Sequence, residues 1–225
     1  MTTKTERREW GRLAEGLDLS AVGWGHDGAI DDFISGDGAQ FAHSAYSTHG
    51  MLSLVWANLK LLKQRGIYEP AIVEAYIGCK FNNHNWPIQA IECLFRIGDR
   101  GKLLACGETL PGEESFTVYR GIAGERHKRK VRGLSWTSSL DAACWFALRL
   151  HLPDPAVYLA QLLPADIYCC TNERNELEFI GRPRSCRRLP LSADEMRTHE
   201  AQYGAEKQAR FKARVDAAMA KNQKQ

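Results

Sequence analysis

The sequence predicts an α+β fold: a helical N-terminal half, a strand-bearing middle and a charged C-terminal helix. Two patterns predict it. Apolar residues recur at helical spacing between Met51 and Ile97, whereas from Phe116 to Pro190 they come in short apolar and aromatic runs broken by Gly, Pro, Ser and Asn. At 225 residues, 44% of them hydrophobic, the chain can bury a substantial core, as one domain or as a domain with a helical extension. Composition shifts divide it into 1–112, 113–191 and 192–225, three parts compatible with one compact unit.

Taken in order, residues 1–40 are polar, and Gly23, Gly25, Gly28, Gly36 and Gly38 mark loops around short pieces of structure. Met51, Leu52, Leu54, Val55, Leu59 and Leu62 then predict one helix, with Gly66 as its C-terminal stop. A second helix is expected over Pro70–Lys80 and a third over Pro87–Ile97, each opened by its proline. Between them, Asn82-Asn83-His84-Asn85-Trp86 reads as a capped turn, with Asn85 as N-cap and Trp86 stapling the helices; the functional alternative places Asn83 or His84 at a cleft mouth. His43 and His49 read as structural. Leu110-Pro111-Gly112 breaks the chain before the first expected strand, Val118-Tyr119-Arg120-Gly121. Gly133 to Ser139 gives a second strand, followed by a helix over Asp141–Leu148 with Ser139 or Asp141 as N-cap. Asn172 to Ile180 gives a third strand. After Pro190, Ser192 and Glu195 are spaced as a capping box for a helix reaching about Ala220, whose apolar positions (Met196, Tyr203, Phe211, Val215) are sparse.

Within the last strand, Glu176 and Glu178 stand two residues apart. Side chains at i and i+2 of a strand share a face, roughly 6–7 Å apart. Two carboxylates there can divide labour, one stabilising positive charge and the other handling a proton; a solvent-facing Glu pair on an edge strand is the plain alternative. Arg120, whose planar fork stays charged, is suited to a phosphate, and the following Gly121 would let a ligand approach the backbone. Ser135 and Thr137 place small hydroxyls on either side of Trp136. Singly, each of these motifs is also ordinary strand filler.

In combination, an Arg strand, then a Ser-x-Thr strand leading into a helix, then a Glu-x-Glu strand, the region from Phe116 to Pro190 resembles the mono-ADP-ribosyltransferases of the Arg–Ser–Glu class. That resemblance implies a small split β-sandwich core with the N-terminal helical bundle packed on it, NAD as co-substrate and no metal. It implies that Arg120, with Tyr119 and Gly121 beside it, contacts NAD and shapes the cleft. Ser135 would orient the catalytic glutamate and the nicotinamide ribose, with Trp136 and Thr137 completing the motif. Trp136 stands where the family has Thr; its indole either stacks on nicotinamide or packs beneath the strand. Glu178 matches the catalytic glutamate and Glu176 the one that engages the acceptor, a pattern that leans towards arginine while leaving other side chains and nucleobases open. The residue types suit the chemistry. Cleaving ribose from nicotinamide builds oxocarbenium-like charge, which a preorganised carboxylate stabilises, and the neutral leaving group needs no strong general acid. An intracellular bacterial or phage-linked toxin, with a cognate antitoxin, is the setting the resemblance suggests.

The net charge of +3 makes the whole chain no polybasic nucleic-acid binder. Its basic residues do cluster, however. Arg126–Arg132 precedes the Ser strand, with Arg129, Lys130 and Arg132 as candidate acceptor contacts, and Arg182, Arg184, Arg187 and Arg188 follow the Glu strand. The clusters are either solvated loops or a surface for NAD phosphates or an RNA, DNA or acidic protein acceptor. Seven scattered cysteines, with no CxxC and no His at ligand spacing, point away from a disulfide framework or zinc site. No apolar run approaches a membrane span, and no signal-peptide core follows the charged segment Thr2–Arg12, so a cytoplasmic protein is expected. An NAD glycohydrolase on the same scaffold, or a non-catalytic module binding NAD, RNA or protein, are the competing functions.

Overall fold

The computed structural model describes residues 4–23, 25–79, 86–125, 131–172 and 177–222. The chain divides into two compact units, Met1–Thr109 and Leu110–Gln225. Mixed helix and antiparallel sheet make the class α+β. The described residues contain no helix long and apolar enough to cross a membrane.

The first unit is helical: α1 (Lys4–Ala14), α2 (His26–Ser35), α3 (Gly38–His43), α4 (Met51–Ala57), α5 (Leu59–Arg65), α6 (Tyr68–Gly78), α7 (Ile88–Ile97) and α8 (Arg100–Ala105). Its first forty residues hold more helix than the glycine count suggested. Gly25 and Gly36 flank α2 as left-handed caps (φ 97° and 92°), while Ala29 and Phe33 bury the helix between them. The single helix expected over Met51–Leu62 breaks at Asn58. The side chain of this buried residue donates to the carbonyls of Leu54 (2.9 Å) and Asp18 (2.8 Å) and accepts from the Asp18 N–H at 2.8 Å. An amide that competes for the carbonyl four residues back interrupts a helix and in exchange ties down a distant loop. Gly66, in the left-handed region at φ 80°, ends α5 as expected, with the Ile67 N–H donating back to the Leu62 carbonyl.

Arg65 joins the early helices. Its guanidinium donates to the carbonyls of Phe33 and Ile34 and lies over the Trp10 ring at 4.6 Å. Tyr68, Ile72, Leu94 and Phe95 are fully buried, and the Tyr68 hydroxyl donates to the Leu94 carbonyl, so burial pushes its phenol well above the usual range. The Glu69 carboxylate, 3% exposed, accepts from the Asp99 N–H, and Asp99 in turn caps α8. His43 Nε2 lies 2.8 Å from Glu74. Pro87, and not Asn85, is the N-cap of α7, and Trp86 meets Trp56 edge-on at 6.4 Å. Residues Asn82–Asn85 lie outside the described residues.

The second unit contains β1 (Phe116–Ile122), β2 (Ser135–Thr137), α9 (Leu140–Leu148), β3 (Ala156–Leu162), β4 (Ile167–Thr171), β5 (Glu178–Gly181), β6 (Cys186–Arg188) and α10 (Ala193–Asn222). The strands form one six-stranded sheet in the order β4-β5-β2-β1-β3-β6, each neighbouring pair antiparallel. The expected split into two facing sheets is thus absent from the hydrogen bonding of the described strands. Helix α9 presents Ala143, Cys144 and Ala147 to a core that includes Val157 and Met196, with Tyr119 and Leu189 packed against it. Small residues on α9 let helix and sheet approach closely. Helix α10 lies on α9 through Met196 and Tyr203; Tyr203 meets Trp145 at 5.6 Å, and His199 Nδ1 lies 2.5 Å from Asp141 Oδ1. The capping box read from the sequence is present: Ser192 Oγ accepts from the Glu195 N–H, and the Glu195 carboxylate accepts from the Ser192 N–H, holding its carboxyl below the usual range.

Two consequences are measurable. Asn58→Ala removes three hydrogen bonds at a buried break and should cost about 2 kcal/mol, read as a lower urea midpoint at unchanged m. The seven cysteines form no disulfide, and burial, aided by Asp141 and Glu200, pushes the Cys144 thiol up to about 12. At pH 8.5 iodoacetamide should therefore label exposed Cys93 in the native protein and reach Cys144 only after unfolding, as peptide mass mapping would show.

Candidate active site

The candidate residues sit where β5, β2 and β1 run side by side. Thr137 pairs directly with Glu178 on one side and with Tyr119 on the other, and Glu178 pairs with Thr171 on β4. Directly opposed residues share a sheet face, so Thr171, Glu178, Thr137 and Tyr119 form one row across four strands. Ser135, two residues before Thr137, points to the same face and is the diagonal neighbour of Glu178, a separation of roughly 7–8 Å in antiparallel sheets. Glu178 and Ser135 are half-buried, whereas Thr137 and Thr171 are buried. The sequence reading missed Thr171. No motif marks it, and only the register of β4 against β5 brings it beside the carboxylate.

Arg120 and Trp136 occupy the alternate positions of β1 and β2 and so begin on the opposite face. The Arg120 guanidinium wraps to the strand edge, where Nη1 donates to the Ser135 carbonyl at 2.5 Å. Gly133 makes this possible, since a Cβ there would lie 2.1 Å from Arg120 Nη2. Arg120 thus reaches the backbone of the serine whose side chain faces Glu178. Trp136 is 2% exposed, and its indole N–H donates to the Gly133 carbonyl at 3.0 Å. Its ring is buried, the packing alternative of the two read from the sequence. On the same face Phe179 stacks on Phe116 with ring centroids 5.1 Å apart.

Two further expectations change. Gly121 does not open the backbone to a ligand: a Cβ there would lie 1.7 Å from the Ala143 carbonyl oxygen, so the space belongs to α9. The extended run expected through Asn172–Ile180 is broken. Leu177 has φ 46°, in the left-handed region, its N–H donates to the Asn172 side chain, and β5 begins only at Glu178. The alternation that would set Glu176 and Glu178 on one face therefore does not pass through Leu177. Glu176, Arg129 and Lys130 lie outside the described residues.

Around the Ser strand, hydroxyls lead into the helix. Thr137 Oγ1 accepts from the Ser139 N–H, and Ser139, the N-cap of α9, accepts from the Ala142 N–H. The Ser138 N–H donates to the Leu177 carbonyl at 3.2 Å, tying the end of β2 to the turn before Glu178. Arg132 is exposed, and its carbonyl accepts from Arg182 at 3.1 Å, so the two basic segments meet. The second of them is partly neutralised: Arg188 pairs with Asp154 at 3.1 Å and Arg184 lies 3.7 Å from Asp166. That weakens it as a polyanion surface.

Ser135 and Glu178 bring a hydroxyl and a carboxylate, both half-buried, to one face of the sheet, and the described residues include no cluster of three acidic, Cys or His groups placed to hold an ion. Compared with protein-family models, with curated proteins and with solved structures, the chain matches none.

Gly121→Ala discriminates the two uses of that glycine. With α9 occupying the space, the variant should lose roughly 2–3 kcal/mol of stability, seen as a lower thermal midpoint before any effect on ligand binding is considered. A glycine kept only for ligand approach would leave the midpoint unchanged.

Proposed function

We propose that the chain is a mono-ADP-ribosyltransferase that moves ADP-ribose from NAD to a macromolecular acceptor, a protein arginine or a nucleic-acid base. The observation that carries this reading is the register of β2 against β5, which puts Glu178 opposite Thr137 and diagonal to Ser135, in a chain whose Arg, Ser and Glu motifs follow the family order. In this reading NAD supplies the ribosyl–nicotinamide bond. Glu178 sits where a fixed carboxylate can stabilise positive charge growing on the ribose, and the Ser135 hydroxyl aligns that carboxylate. Nicotinamide leaves as a neutral molecule while a new bond forms between the ribose carbon and an acceptor nitrogen, whose proton Glu176 is suited to take. Arg120 supports the site through the Ser135 carbonyl. A toxin or effector acting in the cytoplasm, held in check by an antitoxin, is the setting we propose.

The experiment is incubation of purified protein with labelled NAD and cell extract, with products sorted by protease and nuclease sensitivity. Transfer to a macromolecule should fall roughly 10²–10³-fold in Glu178→Gln, the scale expected when a transition-state electrostatic partner is removed. Glu176→Gln should reduce transfer while sparing hydrolysis. Free nicotinamide with no bound label would identify an NAD glycohydrolase instead, and no turnover at all would leave a binding module.

A further inference from the structure

Among the described side chains of α10 the last buried one is Tyr203, 3% exposed. Lys207 still reaches back, its ammonium 4.0 Å from the Trp145 ring centroid, but from Ala205 onward every described side chain of the helix is exposed. At 1.5 Å per residue the stretch 205–222 projects about 27 Å along its axis. Isolated helices of this size are marginal in water and gain stability by burying one face. A face of that kind exists. Phe211, Val215 and Met219 recur at i, i+4 and i+8 as large apolar side chains and are 70%, 39% and 61% exposed. Residues 206–222 carry five lysines and arginines against two acids, so this stripe runs along a basic helix.

We infer that the Phe211–Val215–Met219 face docks in the groove of a partner protein whose apolar floor is bordered by carboxylates. Three anchors at one-turn intervals match helix-in-groove recognition. Charge selects the occupant. A second copy would bring basic face against basic face, with Lys212 beside the stripe on both helices. One phenylalanine, one valine and one methionine make too narrow a face for stable seating on a bilayer. An acidic groove satisfies both the anchors and the cations around them. Arg210 is paired with Glu206 at 2.9 Å within the helix and Lys207 lies over the Trp145 ring, whereas exposed Lys212 adjoins Phe211 in the chain.

The test uses the full chain and defined probes. One is a fluorescein-labelled amphipathic helical peptide with leucine along one face and glutamate flanking it; the second has glutamine in place of each glutamate. Anisotropy should report binding to the acidic peptide at least tenfold tighter than to the neutral one, weakening as salt rises, lost in Phe211→Glu/Met219→Glu and reduced in Lys212→Glu. These side chains are exposed, so circular dichroism and thermal midpoint should match the parent protein. Equal binding to both peptides, binding to neither, co-sedimentation with phosphatidylglycerol vesicles, or self-association abolished by Phe211→Glu would each overturn the proposal.

Discussion

Three residues of strand hold the candidate site together. β2 spans only Ser135–Thr137, yet it lies between β1 and β5 in the sheet and sets the position of Glu178 relative to the Arg strand. Its ladder to β1 is a single pair, Tyr119 with Thr137, so backbone hydrogen bonding alone would leave the connection loose. Side chains make up the deficit. Arg120 donates to the Ser135 carbonyl, the Trp136 indole donates to the Gly133 carbonyl, and Thr137 accepts from the Ser139 N–H. The first is charge-assisted and half-buried, the class of hydrogen bond with the largest net contribution, about 1.5–3 kcal/mol. Arg120, Trp136 and Thr137 thus each have a mechanical use that is visible without any ligand.

The second constraint is the approach of α9. The long β1–β3 ladder pairs every residue from Phe116 to Ile122, and α9 seats on it at Gly121. Because Ser139, the cap of α9, lies two residues after Thr137, the seating of the helix also fixes the end of β2. Small side chains at Ala143 and Ala147 belong to the same closeness, since a larger residue would lift the helix from the sheet. Sequence, packing and site geometry are linked here through one glycine and two alanines.

How much was legible follows from which interactions are local. The capping box at Ser192 and Glu195, the cap at Ser139 and the stop at Gly66 are short-range devices, readable from spacing, and the structure has all three. The existence of strands at Tyr119, Ser135 and Phe179 was readable for the same reason. What failed was non-local or conformational. Asn58 breaks a good helical pattern because its partner is Asp18, forty positions away. Nothing local marks Leu177 as left-handed, and so the extended run read through it stops short of Glu178. Gly121 looked like an opening because sequence gives no sign of what lies over a glycine. Thr171 was invisible because register between β4 and β5 is set by pairing, not by any motif.

Arg120 shows why motif order and motif chemistry have to be weighed separately. Its sequence position suggested a phosphate ligand, and a guanidinium is well made for one. In the fold its side chain starts from the face opposite Glu178 and turns at Gly133 to meet the backbone of Ser135. A group in that position helps hold a strand in place: lysine, with a point charge and no fork, would keep the sign of the field but lose the directional donor that crosses to the carbonyl. Glu178 has no such intermediary in the sheet: its direct neighbours Thr137 and Thr171 are buried on either side of it. Under the proposed reaction, the same register that sets those neighbours sets where the carboxylate would meet a developing cation, so pairing between strands, and not any one motif, would decide the electrostatics.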